Sequence, residues 1–591
     1  EQRTTRYEYD ALGRQVRVLY PSVGVYAPGS DNLTVNGATG PAARVETTRA
    51  LETRTYYDAQ GNAVANRDVG GAVSQKVYDA LGRVAYEVDA LGYLTAYARN
   101  AFGEVTGVTR YASATALARP TLASAAQAAT RAQVQATLAL PAFAPPNART
   151  LVTRYDQAGR VTETVAPSVF SYDSSAAASA QTASVGATTR NRYDAFGQLV
   201  QSSALRNAVT DSWATTTHYF DRVGRESATI DALGYLSWRA FDANGNLTEL
   251  REYAAARAPG SWSVTGYGAV TAPSGEDRVT RYAWDSLNRK TSETRRDVEY
   301  TATPGDTRIR GQLTTSFGYD ALGNQTRVTD AAGAVTYTYY DALGRVAAIA
   351  QPARASTVAG TSLTPLTVYR RDAHGNALVT IEYAGGALSA SANTYAAAAP
   401  SSDDRATLAS YDALGRNTQT TDAAGHSQYL SLDAWGHVAK KWQGVTGGDG
   451  VTRTLFELNA YDALGQLTET RTPASTTAAV QGVDPNDLST IATVTQAQAG
   501  VVIAQLEYNA FGELTRKGTQ GGRQEYFDYD GAGRMWRSNA GDGVDRISLF
   551  DLQGHVTAQI SSAGAARANQ DIKGFVNAQA AHASPSTRRT D

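Results

Sequence analysis

Six histidines and a recurring Asp-x-x-Gly are the parts of this sequence whose residue types could do chemistry, as imidazole and carboxylate can trade a proton or hold a metal. Their placement argues against both roles. His374, His437 and His555 sit beside the glycine of such a motif, and His426 lies in another turn. None of the histidines, His218 included, shows the helical pairing with carboxylates that a zinc site needs. The aspartates could be paired carboxylates or calcium ligands, yet each is accounted for by a turn. GGDGV at 447–451 and GDGVD at 541–545 resemble half of a calcium repeat, and neither recurs in tandem. No GxxxxGK loop offers a phosphate site, and the chain has no cysteine for thiol catalysis, thiolate ligation or disulfides. Arg295-Arg296 and Arg370-Arg371 read as solvated faces. The expectation is therefore no catalytic residue, no cofactor, no metal and no enzyme activity.

The elements that carry these residues are repeats. Residues 319–348, YDALGNQTRVTDAAGAVTYTYYDALGRVAA, spell one motif twice at a spacing of 21. The motif is an aromatic, Asp, two variable residues, Gly, and often Arg or Asn. Four copies define it as a turn and strand element: Tyr78, Asp79, Gly82 and Arg83; Tyr319, Asp320 and Gly323; Tyr340, Asp341, Gly344 and Arg345; Tyr411, Asp412, Gly415 and Arg416. It begins at Tyr9-Asp10 and recurs to Phe550-Asp551, with looser copies at Arg99-Asn100, Arg371-Asp372, Leu432-Asp433 and Tyr508-Asn509. Between copies lies a second Asp-x-x-Gly, as at Asp68, Asp89, Asp231, Asp330 and Asp422.

Asp at the start and Gly at the end fit a type I turn closed by a left-handed residue, the three-residue hairpin loop with a bulge. Trp284-Asp285-Ser286-Leu287-Asn288-Arg289 supports this, because Asn is the other residue that tolerates that conformation. The aromatic then faces the residue two past Gly, apolar in most copies (Val84, Val161, Val346), a cross-strand pair worth about 0.2–1 kcal/mol. Three coiled-coil heptads would also give 21, but a Gly every ten or eleven residues costs a helix about 1 kcal/mol each.

The fold class expected is all-β: a long antiparallel meander of hairpins. Open twisted sheets rarely pass about ten strands without curling, so it should spiral into a hollow shell or tube. The repeat body is placed at 1–556, with long insertions near 20–50, 111–150, 163–190, 252–278, 382–408 and 471–504 that project as loops or strand extensions. LASAAQAATRAQVQATLAL at 122–140 has the composition of a short helix. Residues 557–591 read as a linker or an incomplete segment of a longer chain.

Net charge is −2, so the field that draws a protein to nucleic acid is missing. No window of 18 apolar residues offers a membrane span, and EQRTTRYEYD lacks the pattern of a signal peptide. The chain reads as an excerpt of a longer polypeptide. Tyrosine rows could also stack on sugars, though at this density cross-strand packing explains most of them.

The YDALGR at 9–14, 78–83, 340–345 and 411–416 resembles the signature of the YD-repeat, or Rhs, family, and the likeness runs over roughly 7–556. The resemblance implies a β-sheet spiralling into a hollow shell. In bacterial polymorphic toxins and insecticidal toxin complexes such shells enclose a C-terminal toxic polypeptide, and in teneurins a similar barrel serves adhesion outside the cell. It thus implies a non-catalytic shell portion of a secreted or cell-surface bacterial protein, partnered by the remainder of a longer polypeptide. The alternative is an adhesion or carbohydrate-binding module whose insertions meet a cell-surface glycan or protein. The self-cleaving core segment of the bacterial shells is not found here. Asp484-Pro485 lies in an insertion, so neither protease nor toxin is carried over.

Overall fold

The computed structural model describes residues 3–26, 46–118, 128–144, 148–268, 274–301, 307–355, 362–446, 452–473, 480–481, 501–541, 543–562 and 587–590. Asp484-Pro485, the sixth histidine (His582) and the 447–451 segment lie outside them. Among the described residues 40 strands join one antiparallel sheet. It runs from Arg6–Tyr9 against Gln15–Tyr26 to Val556–Ser562 against Thr587–Thr590. Strand accounts for 59% of the structure and helix for 3%, and the sheet is not closed. This is the all-β meander that the 21-residue spacing requires. Each long strand pairs with its neighbours in the chain because two-residue side-chain alternation and a tight turn leave it no nearer partner.

Described parts of two insertions extend the sheet. Gln15–Tyr26 and Glu46–Tyr57 run 12 residues each, with a bulge between Leu19 and Ser22. Val161–Tyr172 and Thr182–Tyr193 form a hairpin extended in the same way, bulged between Val165 and Ser168. One α-helix, Arg131–Leu138, falls within the helix-forming stretch, and Thr130 and Gln133 close its capping box.

The end of the repeat needs correction. The sheet does not stop at 556: Val556–Ser562 pairs with Asp545–Phe550 and then with Thr587–Thr590. Its alternation explains why, since Ala558 and Ile560 point inward at 2% and 6% exposure while Gln559 between them is exposed.

Far along the chain the sheet lies down on itself. Strand Gln15–Tyr26 meets Ser427–Leu432, and Val161–Tyr172 meets Asp545–Phe550. Phe170 and Tyr172 share a buried cluster with Trp536, Ile547, Leu549 and Ile560. The meander is thus a spiral, and a second coil, from about residue 411, packs on the first.

Candidate functional site

An antiparallel meander reverses at every turn, so its turns alternate between two margins of the sheet. All 18 aromatic-Asp turns, counting the four looser copies among them, fall on one margin. The plain Asp-x-x-Gly turns and all six expected insertions fall on the other.

At Asp79 the backbone N–H donates to the Arg83 carbonyl (2.8 Å) and the Gly82 N–H to the Asp79 carbonyl (3.1 Å). Asp79 Oδ1 accepts the N–H groups of Leu81 and Arg83 at 2.9 and 3.0 Å. Oδ2 takes the Arg83 guanidinium at 2.8 Å. These donors, the Arg83 N–H first, hold the carboxyl down at about 2 against a burial that raises it. Gly82 has φ +74°, and Asn288 takes the same place at φ +59°. The turns at Asp320, Asp341 and Asp412 repeat the same backbone bonds.

What the motif's side chains do beyond their own turn is not visible in its spelling. The phenol reaches back to the preceding hairpin and donates to the carbonyl two past its glycine: Tyr78 to Ala63 (2.9 Å), Tyr319 to Lys290 (2.8 Å), Tyr340 to Gln325 (3.0 Å) and Tyr411 to Ala377 (3.3 Å). Trp284 Nε1 does the same to Leu247 at 2.8 Å. Two of the four looser copies keep this donor in another form: Arg99 reaches Val84 at 3.0 Å and Arg371 reaches Val346 at 3.1 Å. Several arginines reach forward. Arg289 donates to the Asp320 carbonyl at 2.9 Å while lying 4.8 Å from the Tyr319 ring centre, and Arg416 donates to the Asp433 carbonyl at 3.0 Å. Where Asn replaces the motif Asp, at Asn100 and Asn509, the residue after Gly becomes Glu and the bond reverses, amide to carboxylate at 2.6 Å. Such reciprocal exchange within one chain is the signal that could have revealed the pairing.

The histidines are absorbed into the same scheme. His437 and His555 stand in the arginine position, with Nδ1 2.9 and 3.0 Å from Asp433 and Asp551, and His437 stacks on Tyr461. His426 faces Asp422 across a plain turn at 3.3 Å, and the His374 backbone N–H caps Asp372. His218 pairs with Glu226 at 2.6 Å, and Glu226 also holds Arg239. Among the described residues no group of three His, Asp or Glu could hold a metal.

Two further features are built by the fold. Parts of three insertions fold back over the sheet: Val134 onto Val77, Val88 and Leu94; Trp262 and Tyr267 onto Tyr219 and Ile230; Tyr395 onto Tyr339 and Leu366. Tyr219 and Tyr339 each donate at 2.8 Å to an insertion carbonyl, of Ser263 and Ser391. The second feature is the seam, where aromatic-Asp turns of the second coil rest on the plain-turn margin of the first. Arg416 donates to the Gly24 carbonyl (3.2 Å) and Trp435 Nε1 to Asp68 (2.9 Å). Arg149 grips Glu513 with two bonds of 2.7 and 2.9 Å and lies 3.8 Å over Phe511. An open cleft of about 740 Å³ remains beside it, lined by Thr150, Pro167, Ser168, Tyr529 and Asp530. The only described arginine lining it, Arg149, is already committed to Glu513.

Residues 319–356 match the RHS Repeat family. No curated protein matches the chain. Among solved structures, a crystal structure of TcdB2-TccC3-Cdc42 is 14% identical, covering 95% of this chain and 31% of its own, with a TM-score of 0.27. The Tc holotoxin pore of Photorhabdus luminescens is 15% identical, covering 95% and 30%, also at 0.27. A porin-like protein of Bacteroides uniformis covers 33% of this chain at 13% identity and a TM-score of 0.16. The chain spans about a third of the length of the first two, and none of these likenesses bears on what it does. The backbone turn found within the matched residues 319–356 recurs with the same bonds from Asp10 to Asp551, so what the RHS Repeat match describes there is repeated along the sheet.

Proposed function

We propose that this chain is a non-catalytic wall: the shell portion of a large secreted or cell-surface bacterial protein, enclosing or presenting a polypeptide such as a toxin domain. The seam is the observation that carries this reading. A sheet whose second coil rests on the first surrounds the space inside the coil, and the carboxylates of Asp68 and Glu513 are spent joining one coil to the other. The described parts of three insertions lie against the sheet, which removes projecting surface from the adhesion reading.

The test is protection. A protease-sensitive reporter polypeptide fused after Asp591 is expected to resist a protease that digests the same reporter when free. Equal digestion of the two would overturn the enclosing role.

A further inference from the structure

The third residue of each aromatic-Asp turn forms its tip, and the seam shows what that tip does when it meets another coil. In the second coil Leu414 packs against the cluster of Val23, Val25 and Leu51. Trp435 lies over Gly70 so closely that a Cβ there would overlap the indole. Phe511 lies under Arg149. The same position in the first coil meets nothing of the kind: Leu12, Leu81, Phe102, Phe196, Leu322 and Leu343 are 74, 75, 90, 90, 80 and 73% exposed.

A row of large apolar tips along one margin is unlike the scattered apolar residues of an ordinary surface. The complementary margin is also present in the molecule. The plain turns Asp330–Gly333 and Asp422–Gly425 are exposed throughout, and their tips, Ala331-Ala332 and Ala423-Ala424, are small. Such a turn offers a tip the same kind of seat that Asp68–Gly71 offers Trp435. A net charge of −2 sets little repulsion against bringing copies together.

We propose that the tips from Leu12 to Leu343 are a docking surface for a second copy of this chain, seated on that copy's uncovered plain-turn margin. The contact continues the seam from one molecule into the next. Its two halves differ, so it is head-to-tail and extends to longer assemblies instead of closing as a two-fold dimer. It does not depend on whether anything is enclosed.

Sedimentation velocity of the full chain should show a mass that grows with concentration beyond one copy. Phe102→Asp with Phe196→Asp should weaken the association by about tenfold or more, as loss of aromatic anchors does. Ala332→Arg with Ala424→Arg should do the same from the other side. Each double variant keeps one half of the contact, so a mixture of the two should form pairs and stop there. All four positions are exposed, and melting curves equal to that of the parent will show that the fold is kept. A chain that stays single at every concentration overturns the proposal. So does association that survives Phe102→Asp with Phe196→Asp, or a mixture that fails to pair.

Discussion

The strand Val335–Tyr340 has a turn at each end, Asp330–Gly333 on the plain margin and Asp341–Gly344 on the aromatic one. Their backbones agree closely. The Asp N–H reaches the carbonyl four residues on at 2.9 and 2.8 Å, the Gly N–H closes back at 3.0 and 2.9 Å, and the glycines have φ of +82° and +73°. Only the second adds Tyr340 bonded to Gln325 and Arg345 bonded to Asp341 at 2.7 Å. Asp and Gly alone therefore fix the shape of a turn, while the aromatic and the arginine fix its distance from the next. The margin with those links keeps one turn length along the whole sheet. The margin without them takes up every long insertion.

Lengthening the two turns would test this most severely. Gly-Ser inserted after Ala342 should cost roughly 2–3 kcal/mol, because it parts Asp341 from Arg345 and its backbone donors. The same insertion after Ala331 also parts Asp330 from the Ala332 and Ala334 N–H groups but breaks no arginine link, and should cost about half as much. Denaturant midpoints that fall equally would erase the difference between the margins.

Substituting the glycines should make the margins agree. Gly344→Val is expected to lose about 2 kcal/mol and Gly333→Val a similar amount, since both hold a left-handed backbone that a branched residue resists, whereas Gly344→Asn should lose less than half of that. Thermal melts of the three variants decide it, and equal losses for Val and Asn would break the turn assignment.

The links themselves are smaller. Arg289→Gln gives up the Asp285 pair, the Asp320 carbonyl and the Tyr319 ring, and should cost about 1 kcal/mol by thermal melting. A neutral result would leave the constant spacing of the aromatic margin without this cause.

The smallest effect is on pH. The Asp79 carboxyl sits at about 2 in the fold, below its ordinary 3.8, so its contribution is complete above the ordinary value and is lost as pH falls through the folded one. Melting temperature should therefore drop more steeply between about pH 4 and pH 2 in the parent than in Asp79→Asn. Parallel curves would contradict it.

Strands and turns were legible in the sequence because Asp, Gly and side-chain alternation act within a few residues of themselves. The phenol bonds were not, because their acceptors are backbone carbonyls, which every residue type supplies alike: Ala63, Lys290, Gln325 and Ala377 share a place after the turn but no common side chain that would mark it. The seam was hidden for another reason. It joins Arg149 to Glu513 across 364 positions and Arg416 to Gly24 across 392, with no periodicity that could align them. Residues 557–562 carry no copy of the motif, so only their alternation marks them as the continuation of the strand that begins at Val556.

Pairing each strand with its chain neighbour also sets the order in which the protein can form. Most strands find a partner within one short loop, so entropy lost in closing each contact is small and hairpins can zip up one after another. Structure of this kind can begin anywhere and spread, as in other linear arrays. The seam cannot, because Gly24 has no Arg416 to meet until some four hundred residues have been laid down. Growth is therefore expected in two stages, fast lengthening of a ribbon followed by one slower docking step once the ribbon has come full circle. A pulse of hydrogen exchange during refolding should show the amides of Val335–Tyr340 protected before the indole N–H of Trp435, whose acceptor is Asp68 across the seam.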